Sequence, residues 1–293
     1  MSTITGTAHD DLLLGTSNAD SIDGKDGNDI LKGRAGDDIL LGGNGNDHIY
    51  GGTGDDHLFG GDGNDVLSGR SGTNFLDGGA GDDTVLFTDG IDHILGEVET
   101  LSFRKAAGPV SVDDTGDIFL NGEWHGDGAE LVARVNGSPF DDQFIGSNEF
   151  HGGGGNDSIQ GEDPEGKIFG DSGNDHLGVG QNGGGFLFGG SGNDTLAAGG
   201  GTQMTGGSGS DTFSINYQFF ELGGFSSEGA IIKDFHHNED HLQLVGDDPN
   251  AYLTNEGDLW TVHSNDPTAG PDFQVTFEIT GVTSLNHDEF TFV

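Results

Sequence analysis

A nine-residue pattern repeats without interruption from Gly6 to Leu86. All nine units open with glycine and carry an aliphatic residue at position eight, and units three to nine also have glycine at position four. Position six is aspartate in every unit except the eighth, where it is Asn74. Nine units in one phase predict a solenoid built from stacked copies of one structural element.

Each unit predicts a turn followed by a short strand. Glycine at positions one and four permits backbone conformations with positive φ and close approach of main-chain carbonyls. The three residues after the aspartate, such as His48, Ile49 and Tyr50, form a strand whose middle side chain points inward. Two units complete one coil with a turn at each edge, and coils stack about 4.8 Å apart as a parallel all-β solenoid.

The composition indicates that such a coil needs an added source of stability. Fifty-one Asp and Glu face nine Lys and Arg, for a net charge of −42, and only 31% of the residues are hydrophobic. A chain of this kind stays disordered by default because it cannot bury enough apolar surface to offset its conformational entropy. The sequence has no cysteine and therefore no disulfide. The charge also excludes nucleic acid and anionic membrane surfaces as partners, and no apolar run approaches the length needed for membrane insertion.

Stacking brings the position-six aspartates of every second unit into rows. Two carboxylates about 5 Å apart repel each other by roughly 1 kcal/mol in water and by about 3 kcal/mol at an effective dielectric constant of about 20. A hard dication bound between successive turns reverses the sign of this term. Carboxylate and carbonyl oxygens favour calcium over zinc or copper, so the residues predict rows of calcium sites.

The repeat GGxGxDxUx, in which U is aliphatic, resembles the RTX (repeats-in-toxin) calcium-binding family, which includes the β-rolls of serralysin-like proteases and the R modules of alginate epimerases. The resemblance implies a right-handed parallel β-roll in two arrays with a C-terminal β cap. Each calcium ion would lie between turns n and n+2, held by aspartate carboxylates and main-chain carbonyls. The carboxylate ligands expected in the first array are Asp29, Asp38, Asp47, Asp56, Asp65 and Asp83. The other residues expected at these sites are Gly27, Gly36, Gly45, Gly54, Gly63, Gly81, Asn44, Thr53 and Asp62.

The first two units lack the second glycine and are expected to form a capping coil rather than full sites. Asn74 is expected to weaken one site, which leaves about four to five ions in this array.

A second array begins at residues 137–145, with full motifs starting at Gly152, Gly170, Gly189 and Gly206. The intervening units lack the position-six aspartate, so calcium is expected at one edge only, with about three ions here and about seven to nine in the whole chain. The ligands expected there are Asp157, Asp175, Asp194, Asp211, Gly155, Gly173, Gly192 and Gly209.

The repeats predict four regions, namely a first β-roll at 1–86, a calcium-free β insert at 87–136, a second β-roll at 137–214 and a C-terminal cap at 215–293. Within the cap, a DFxxxxD element is similar to the one that follows the last repeat in RTX proteins, and Asp234 and Asp240 are its candidate ligands. The segment 287–293, acids followed by apolar residues, is similar to a type I secretion signal. The start of the chain lacks the basic flank and apolar core of an N-terminal signal, so secretion to the extracellular space through this C-terminal signal is expected.

Other chemistries have weaker support. Residues 161–168 match the spacing of a phosphate-binding loop, but Ile168 replaces the required Ser or Thr and acidic neighbours would repel phosphate. His236, His237 and His241 form a possible transition-metal cluster. The sequence has no HExxH or GxSxG motif, and a carboxylate pair for glycosidase chemistry is not excluded among so many acids.

The sequence therefore predicts a non-catalytic, secreted protein that folds on calcium binding and has a structural or surface-interaction role. The alternative is a polysaccharide-binding module or an accessory of an extracellular enzyme, for which the exposed aromatic site would be near Trp124 and His125. The sequence leaves the oligomeric state open.

Overall fold

The computed structural model describes residues 1–95, 98–113, 115–127, 132–147, 149–180, 184–198, 200–216, 229–246, 248, 250–264 and 273–293. Within those ranges all regular structure is β-strand, and no helix is long and apolar enough to cross a membrane. The prediction of an all-β parallel solenoid is confirmed. The chain divides into two compact units, Met1–Gln143 and Phe144–Val293.

The N-terminal unit is a stack of short parallel strands in two sheets. The first sheet has the order β1-β3-β5-β7-β9-β11-β15-β14-β13, and the second has the order β2-β4-β6-β8-β10-β12-β16. The strands are β1 (Ser2–Thr5), β2 (Leu12–Leu14), β3 (Asp20–Asp26), β4 (Ile30–Ala35), β5 (Ile39–Asn44), β6 (His48–Thr53), β7 (His57–Asp62), β8 (Val66–Ser71), β9 (Thr73–Ala80), β10 (Thr84–Leu86), β11 (Ile91–Ile94), β12 (Thr100–Ser102), β13 (Val110–Val112), β14 (Ile118–Leu120), β15 (Glu123–Asp127) and β16 (Arg134–Asn136).

The C-terminal unit repeats this arrangement, with β17 (Gln143–Gly146) at the division. Its sheets have the orders β17-β19-β21-β23-β25-β27-β31 and β18-β20-β22-β24-β26-β30-β29-β28. The strands are β18 (Glu149–His151), β19 (Ser158–Gly161), β20 (Lys167–Ser172), β21 (His176–Val179), β22 (Phe186–Ser191), β23 (Thr195–Ala198), β24 (Gln203–Ser208), β25 (Thr212–Asn216), β26 (Ile231–Ile232), β27 (His241–Val245), β28 (Tyr252–Glu256), β29 (Leu259–Ser264), β30 (Phe273–Ile279) and β31 (Phe290–Phe292).

The position-eight residues form the core, as the period predicts. In the first sheet Ile22 is in register with Leu40, and Leu40 with Leu58; in the second, Leu31 is in register with Ile49. All of these side chains are fully buried. One apolar side chain per nine residues is therefore enough to form the core, because each one packs against the equivalent residues of the coils before and after it.

Two segments of the described part of the chain depart from the parallel pattern. Strands β13, β14 and β15 form an antiparallel meander in the first unit, and β28, β29 and β30 form another in the second. The sequence predicted β-structure in both regions but not the change of strand direction. Antiparallel strands need only short loops, so a meander can terminate or interrupt a coil without the glycine-rich turns of the repeat.

Candidate metal centre

The turns at both edges of the first unit depend on glycine at positions one and four. Gly45, at position four, has φ of 125°, and a Cβ there would overlap the carbonyl oxygen of Gly27 in the preceding coil. A Cβ on Gly42, at position one, would overlap the Asp47 carboxylate and lie 2.5 Å from the Gly60 carbonyl oxygen. These contacts bring carboxylate and carbonyl oxygens close together beside each position-one glycine.

The position-six residues form two hydrogen-bonded rows. The first row consists of Asp11, Asp29, Asp47, Asp65 and Asp83, and the second row of Asp20, Asp38, Asp56, Asn74 and Asp92. The backbone N–H of Asp29 donates to Oδ1 of Asp47 at 2.7 Å, and the N–H of Asp20 donates to Oδ1 of Asp38 at 2.7 Å. Each step along a row spans eighteen residues, or one coil. Oδ1 is therefore engaged within the stack.

The second carboxylate oxygen is different, because it is buried and accepts no hydrogen bond from the part of the chain that the structure describes. This is the state of Oδ2 in Asp29, Asp38, Asp47, Asp56, Asp65, Asp83, Asp92, Asp194 and Asp211. A buried anionic oxygen without a partner is strongly destabilising unless a cation or a proton reaches it. The rows thus present repeated, uncompensated acceptors.

Burial raises the pKa of these carboxyl groups because removal from water penalises the charged form. The pKa of Asp47, Asp65 and Asp83 rises to about 6, although a backbone N–H donor opposes the shift in each case. The pKa of Asp56 and Asp92 rises to about 7, again mainly through burial. The carboxylates therefore resist ionisation in a turn that holds no cation.

The first two units are built differently, in agreement with the expected capping coil. Thr16, at position two, donates its N–H and its hydroxyl to Oδ2 of Asp20, and Thr7 does the same for Asp11. The backbone N–H of Thr16 is the main cause that lowers the pKa of Asp20. A hydroxyl at position two therefore satisfies the oxygen that remains unpartnered in the later units.

The second row has a break at Asn74. Its Oδ1 accepts the Asp56 N–H at 3.1 Å, while its Nδ2 donates to Oδ1 of Asp92 at 2.9 Å. An amide nitrogen cannot ligate a cation, so these contacts support the prediction that Asn74 weakens one site.

Sequence analysis missed Asp92 and Glu99. Asp92 is fully buried beyond the last predicted unit, because residues 87–95 keep the glycine, aspartate and aliphatic positions while Phe87 replaces the first glycine. Glu99 accepts the Asp83 N–H at 2.6 Å and so occupies the next place in the first row. Asp92 could have been found by allowing one mismatch in the repeat, whereas Glu99 carries no signal because its spacing is sixteen residues.

A second set of bonds runs along position five, which sequence analysis also missed. The Asn46 N–H donates to Oδ1 of Asn28, and the Asn64 N–H donates to Oδ1 of Asn46. This direction is opposite to that of position six, where the later side chain accepts from the earlier backbone. Asp or Asn occupies position five in most units, which is the signal that could have revealed it.

The C-terminal unit contains one corresponding row at 157, 175, 194, 211 and 240. The Asp157 N–H donates to Oδ1 of Asp175, the Asp194 N–H to Oδ1 of Asp211, and the Asp211 N–H to Oδ1 of Asp240. At the opposite edge of the described coils, buried Thr202 donates its hydroxyl to the Gly184 carbonyl. That edge has no equivalent buried carboxylate row in the described residues, and calcium at a single edge stays a prediction.

The family described as the RTX calcium-binding nonapeptide repeat matches residues 5–94, 142–177 and 179–213 through overlapping copies, which together make up more than half of the chain. The chain belongs to the RTX family. No curated protein matches it significantly.

Three solved structures show similarity to this RTX chain. The R2 subunit of the mannuronan C5-epimerase AlgE6 from Azotobacter vinelandii is 22% identical, with a TM-score of 0.21, over 54% of this chain and 92% of that one. The R3 subunit of the same epimerase is 25% identical, with a TM-score of 0.22, over 53% and 80%. The extracellular lipase LipA from Serratia marcescens is 18% identical, with a TM-score of 0.22, over 88% of this chain but only 40% of the lipase.

The RTX turns fit calcium chemically. Calcium takes about six to eight oxygen ligands in flexible geometry, and the unpartnered Oδ2 atoms are hard anionic donors. The described residues contain no group of three or more His, Cys, Asp or Glu side chains arranged for a metal. Main-chain carbonyls would therefore supply most of the ligands, with the carboxylates supplying the charge.

The predicted carbonyl donors lie in the same turns as these carboxylates. The position-three carbonyls of Asn44, Thr53 and Asp62 accept N–H groups of position-four glycines at 2.7–2.9 Å. Each carbonyl oxygen keeps a second lone pair, so all three remain candidates. The position-four glycines expected at the sites all have positive φ, namely Gly27, Gly36, Gly45, Gly54, Gly63, Gly81, Gly155, Gly173, Gly192 and Gly209.

The two candidate ligands in the cap, Asp234 and Asp240, have both carboxylate oxygens engaged. Asp234 accepts the N–H groups of Gly206 and Gly207, and Asp240 accepts those of Asp211 and His236. In this geometry the two carboxylates terminate the stack by satisfying its last donors, and their role as calcium ligands stays a prediction.

The rival sites lack the required geometry. Lys167 begins strand β20 rather than a helix, so residues 161–168 do not form a phosphate-binding loop. The three cap histidines have different partners: His236 lies 3.5 Å from Asp240, His237 lies 3.0 Å from Glu289, and His241 contacts Thr291. They do not converge on a common metal position.

Proposed function

We propose that this RTX protein folds when calcium binds to its aspartate turns, and that it does so outside the cell. The observation that carries the proposal is the row of buried Oδ2 atoms without hydrogen-bond partners, beginning with Asp29 and Asp38. Calcium would replace the proton or the missing donor at each turn and join successive coils, with about seven to nine ions in all.

The energetic case depends on the calcium concentration. If free calcium is about ten times the site Kd, each site adds roughly 1.4 kcal/mol, and about eight sites add roughly 11 kcal/mol. This is comparable to the whole stability of an ordinary domain. At the far lower free calcium inside a cell this contribution nearly vanishes, so the chain would remain unfolded and competent for export.

Secretion through a C-terminal type I signal at 287–293 is the second part of the proposal. In the folded state Glu289 is buried and accepts N–H groups of Asn238 and Asn286, and β31 pairs in parallel with β27. The segment is therefore built into the sheet once calcium is bound. Recognition by an exporter would have to precede folding, which agrees with low calcium before export and higher calcium after it.

We propose a structural or surface-interaction role without catalytic activity for the folded protein. The position-six carboxylates are committed to the stack, and the described histidines do not form a catalytic arrangement with them. A polysaccharide-binding role is the second candidate, favoured by Trp124. This side chain is 39% exposed, lies tilted against the His93 ring with centroids 5.5 Å apart, and donates Nε1–H to Asp117. Loss of glycan-array binding in Trp124→Ala, with unchanged folding, would support that role at this site.

Circular dichroism in calcium and in a chelator tests the main proposal. We expect a β-rich spectrum with calcium and a disordered one after chelation, with recovery when calcium is restored. Magnesium is the matched control, because its strict octahedral geometry and slow dehydration suit an all-protein site poorly. Calorimetry should give about seven to nine calcium ions per chain. Equal folding in calcium and in chelator would contradict the proposal.

A further inference from the structure

A basic groove lies on the outer face of the second sheet of the N-terminal unit. We use this name for the cavity of about 630 Å³ lined by Lys32, Arg34, Tyr50, Arg70, Asp89 and Lys105, among others. It holds four of the nine Lys and Arg residues of a chain whose net charge is −42. Its volume is within the range typical of small-molecule and oligomer sites, about 300–1,000 Å³.

The four cations of the basic groove have no carboxylate within ion-pair distance among the described residues. None of them forms an ion pair with a described residue, although Lys25 and Lys167 elsewhere do so with Asp23 and Glu149. The carboxylate in the groove, Asp89, accepts a hydrogen bond from the Ser71 hydroxyl instead. In a chain with 51 acidic residues, unpaired cations gathered in one place point to an anionic ligand.

The repeat turn sets the backbone conformation at two of these cations. Arg34 and Arg70 occupy position two of their units with φ of 82° and 70°. Glycine holds this position in neighbouring units and is free of the Cβ clash that makes positive φ unfavourable for arginine. Lys25 and Asp171 have the same conformation at position two, so it is a property of the turn. Its consequence here is that glycine can replace either arginine without strain.

Register fixes the spacing of the cations. Arg34 and Arg70 both pair with Gly52 from opposite sides, so their Cα atoms are about 10 Å apart. Lys32 precedes Arg34 by two residues in β4, which gives about 7 Å between their Cα atoms. Lys32 and Arg70 also approach the Tyr50 ring, at 5.8 and 5.5 Å from its centroid, and this cation–π contact orients both charges. A ligand that reaches all four must carry several separated anionic groups.

We propose that the basic groove binds an anionic polysaccharide with a carboxylate on its successive sugars. Arginine forms bidentate bonds with carboxylates, and an aromatic ring beside polar groups is the usual composition of a sugar site. A slender chain contacts only the groove, because salt screens the acidic surroundings beyond about 8 Å. A nucleic acid duplex would meet those surroundings directly and requires many more phosphate contacts than four cations supply.

Ligand binding in the basic groove goes beyond the proposed calcium function but requires the calcium-folded roll. The experiment therefore measures folding in calcium and ligand binding separately. Calorimetry is done on full-length protein whose β-rich spectrum in calcium has first been verified. The probe is a hexamer of galacturonate, with its fully methyl-esterified form as the uncharged control and a hexaglutamate peptide as the charged non-sugar control. We expect the galacturonate hexamer to bind at least about tenfold more tightly than either control. Equal binding of hexaglutamate would overturn the assignment to a polysaccharide.

The double variant Arg34→Gly/Arg70→Gly locates the site. Because glycine suits position two, this variant should fold at least as well as the parent, while hexamer affinity falls by about tenfold or more. Lys25→Gly is the matched control, since Lys25 also occupies position two with φ of 88° but lies in the first sheet. Unchanged affinity in the double variant would overturn the proposal and indicate calcium bridging at the acidic turns instead. Loss of folding on chelation is a separate result that concerns the calcium function alone.

Discussion

Thr16 donates its backbone N–H and its hydroxyl to the same oxygen of Asp20, at 2.6 and 2.9 Å. The equivalent oxygen of Asp38, one coil further along the second row, has no such donor among the described residues. The two aspartates therefore have the same place in the repeat and opposite electrostatic states. One is held as an anion by the protein, and the other requires a cation.

Thr16→Val should remove one hydrogen bond from the cap without changing the calcium sites. We expect a loss of about 1 kcal/mol of unfolding free energy, because a buried acceptor loses a neutral donor while the backbone donor remains. Urea unfolding in calcium measures this loss, and calorimetry should return the parent number of ions. A reduced ion count would show that the first coil is a calcium site and not a cap.

The effect of Asp47→Asn on stability should be opposite in the absence and in the presence of calcium. Without calcium the substitution removes a buried charge whose pKa is raised to about 6, so the metal-free chain should gain about 1–3 kcal/mol at pH 7.5. With calcium it removes an anionic ligand and should lower both the ion count and the melting temperature. The Oδ1 acceptor survives, as it does in Asn74.

Asp20→Asn is the control for this experiment. Its carboxylate is already satisfied and its pKa is lowered, so the substitution should lower the melting temperature in calcium and leave the ion count unchanged. An unchanged ion count in Asp47→Asn as well would mean that Asp47 does not bind calcium.

Asn74→Asp should restore the interrupted second row. The new carboxylate would face Asp92 without the present Nδ2 donor, so the metal-free protein becomes less stable through like-charge repulsion. In calcium the site becomes competent, and the number of bound ions should rise by about one. Calorimetry of the variant and the parent, measured side by side, gives the two ion counts. An unchanged count would contradict a calcium position at this turn.

The chelated protein should become more stable as the pH falls from about 7 toward about 4. The folded-state pKa of Asp56 is about 7 and that of Asp65 about 6, against 3.8 for the free group, so the folded form binds more protons in this window. The stabilisation that comes from this proton binding is fully present below pH 3.8 and is lost as the pH rises through the folded-state pKa values. Calcium affinity should decrease over the same acid range because protons compete for the same oxygens.

Circular dichroism of the chelated protein from neutral to acid pH measures the first effect, and calcium titrations at two pH values measure the second. Folding that weakens steadily with acid in the absence of calcium would be inconsistent with carboxyl groups destabilised by burial.

The regular part of this architecture could be predicted because each position of the repeat has one physical task. Aliphatic residues such as Leu40 fill the core, glycines such as Gly45 make the turns, and aspartates such as Asp47 lie at the edges. Nine copies of one pattern leave a single arrangement that satisfies all three requirements at once.

The irregular part could not be predicted, since it depends on contacts between non-equivalent residues. Glu99 reaches the Asp83 N–H from a shortened coil, and its longer side chain compensates for the change in spacing. The basic groove combines Lys105 from a loop after β12 with residues of β4, β6 and β8. The eighteen-residue period relates Lys32 to Tyr50 and Arg34 to Arg70. It does not place Lys105, whose proximity to the other cations is revealed only by the fold.

The pairing of strands eighteen residues apart restricts how genes for such proteins can grow or shrink. Gain or loss of a whole coil leaves every later side chain on its original sheet and edge. Insertion of a single nonapeptide would move all later residues to the other sheet. In the C-terminal unit one edge carries the aspartate row. An insertion just before Asp211 would separate it from Asp194, and an insertion just after it would separate it from Asp240, so either one would divide the row in two. Viable length variants in this lineage should therefore differ by duplications of whole coils.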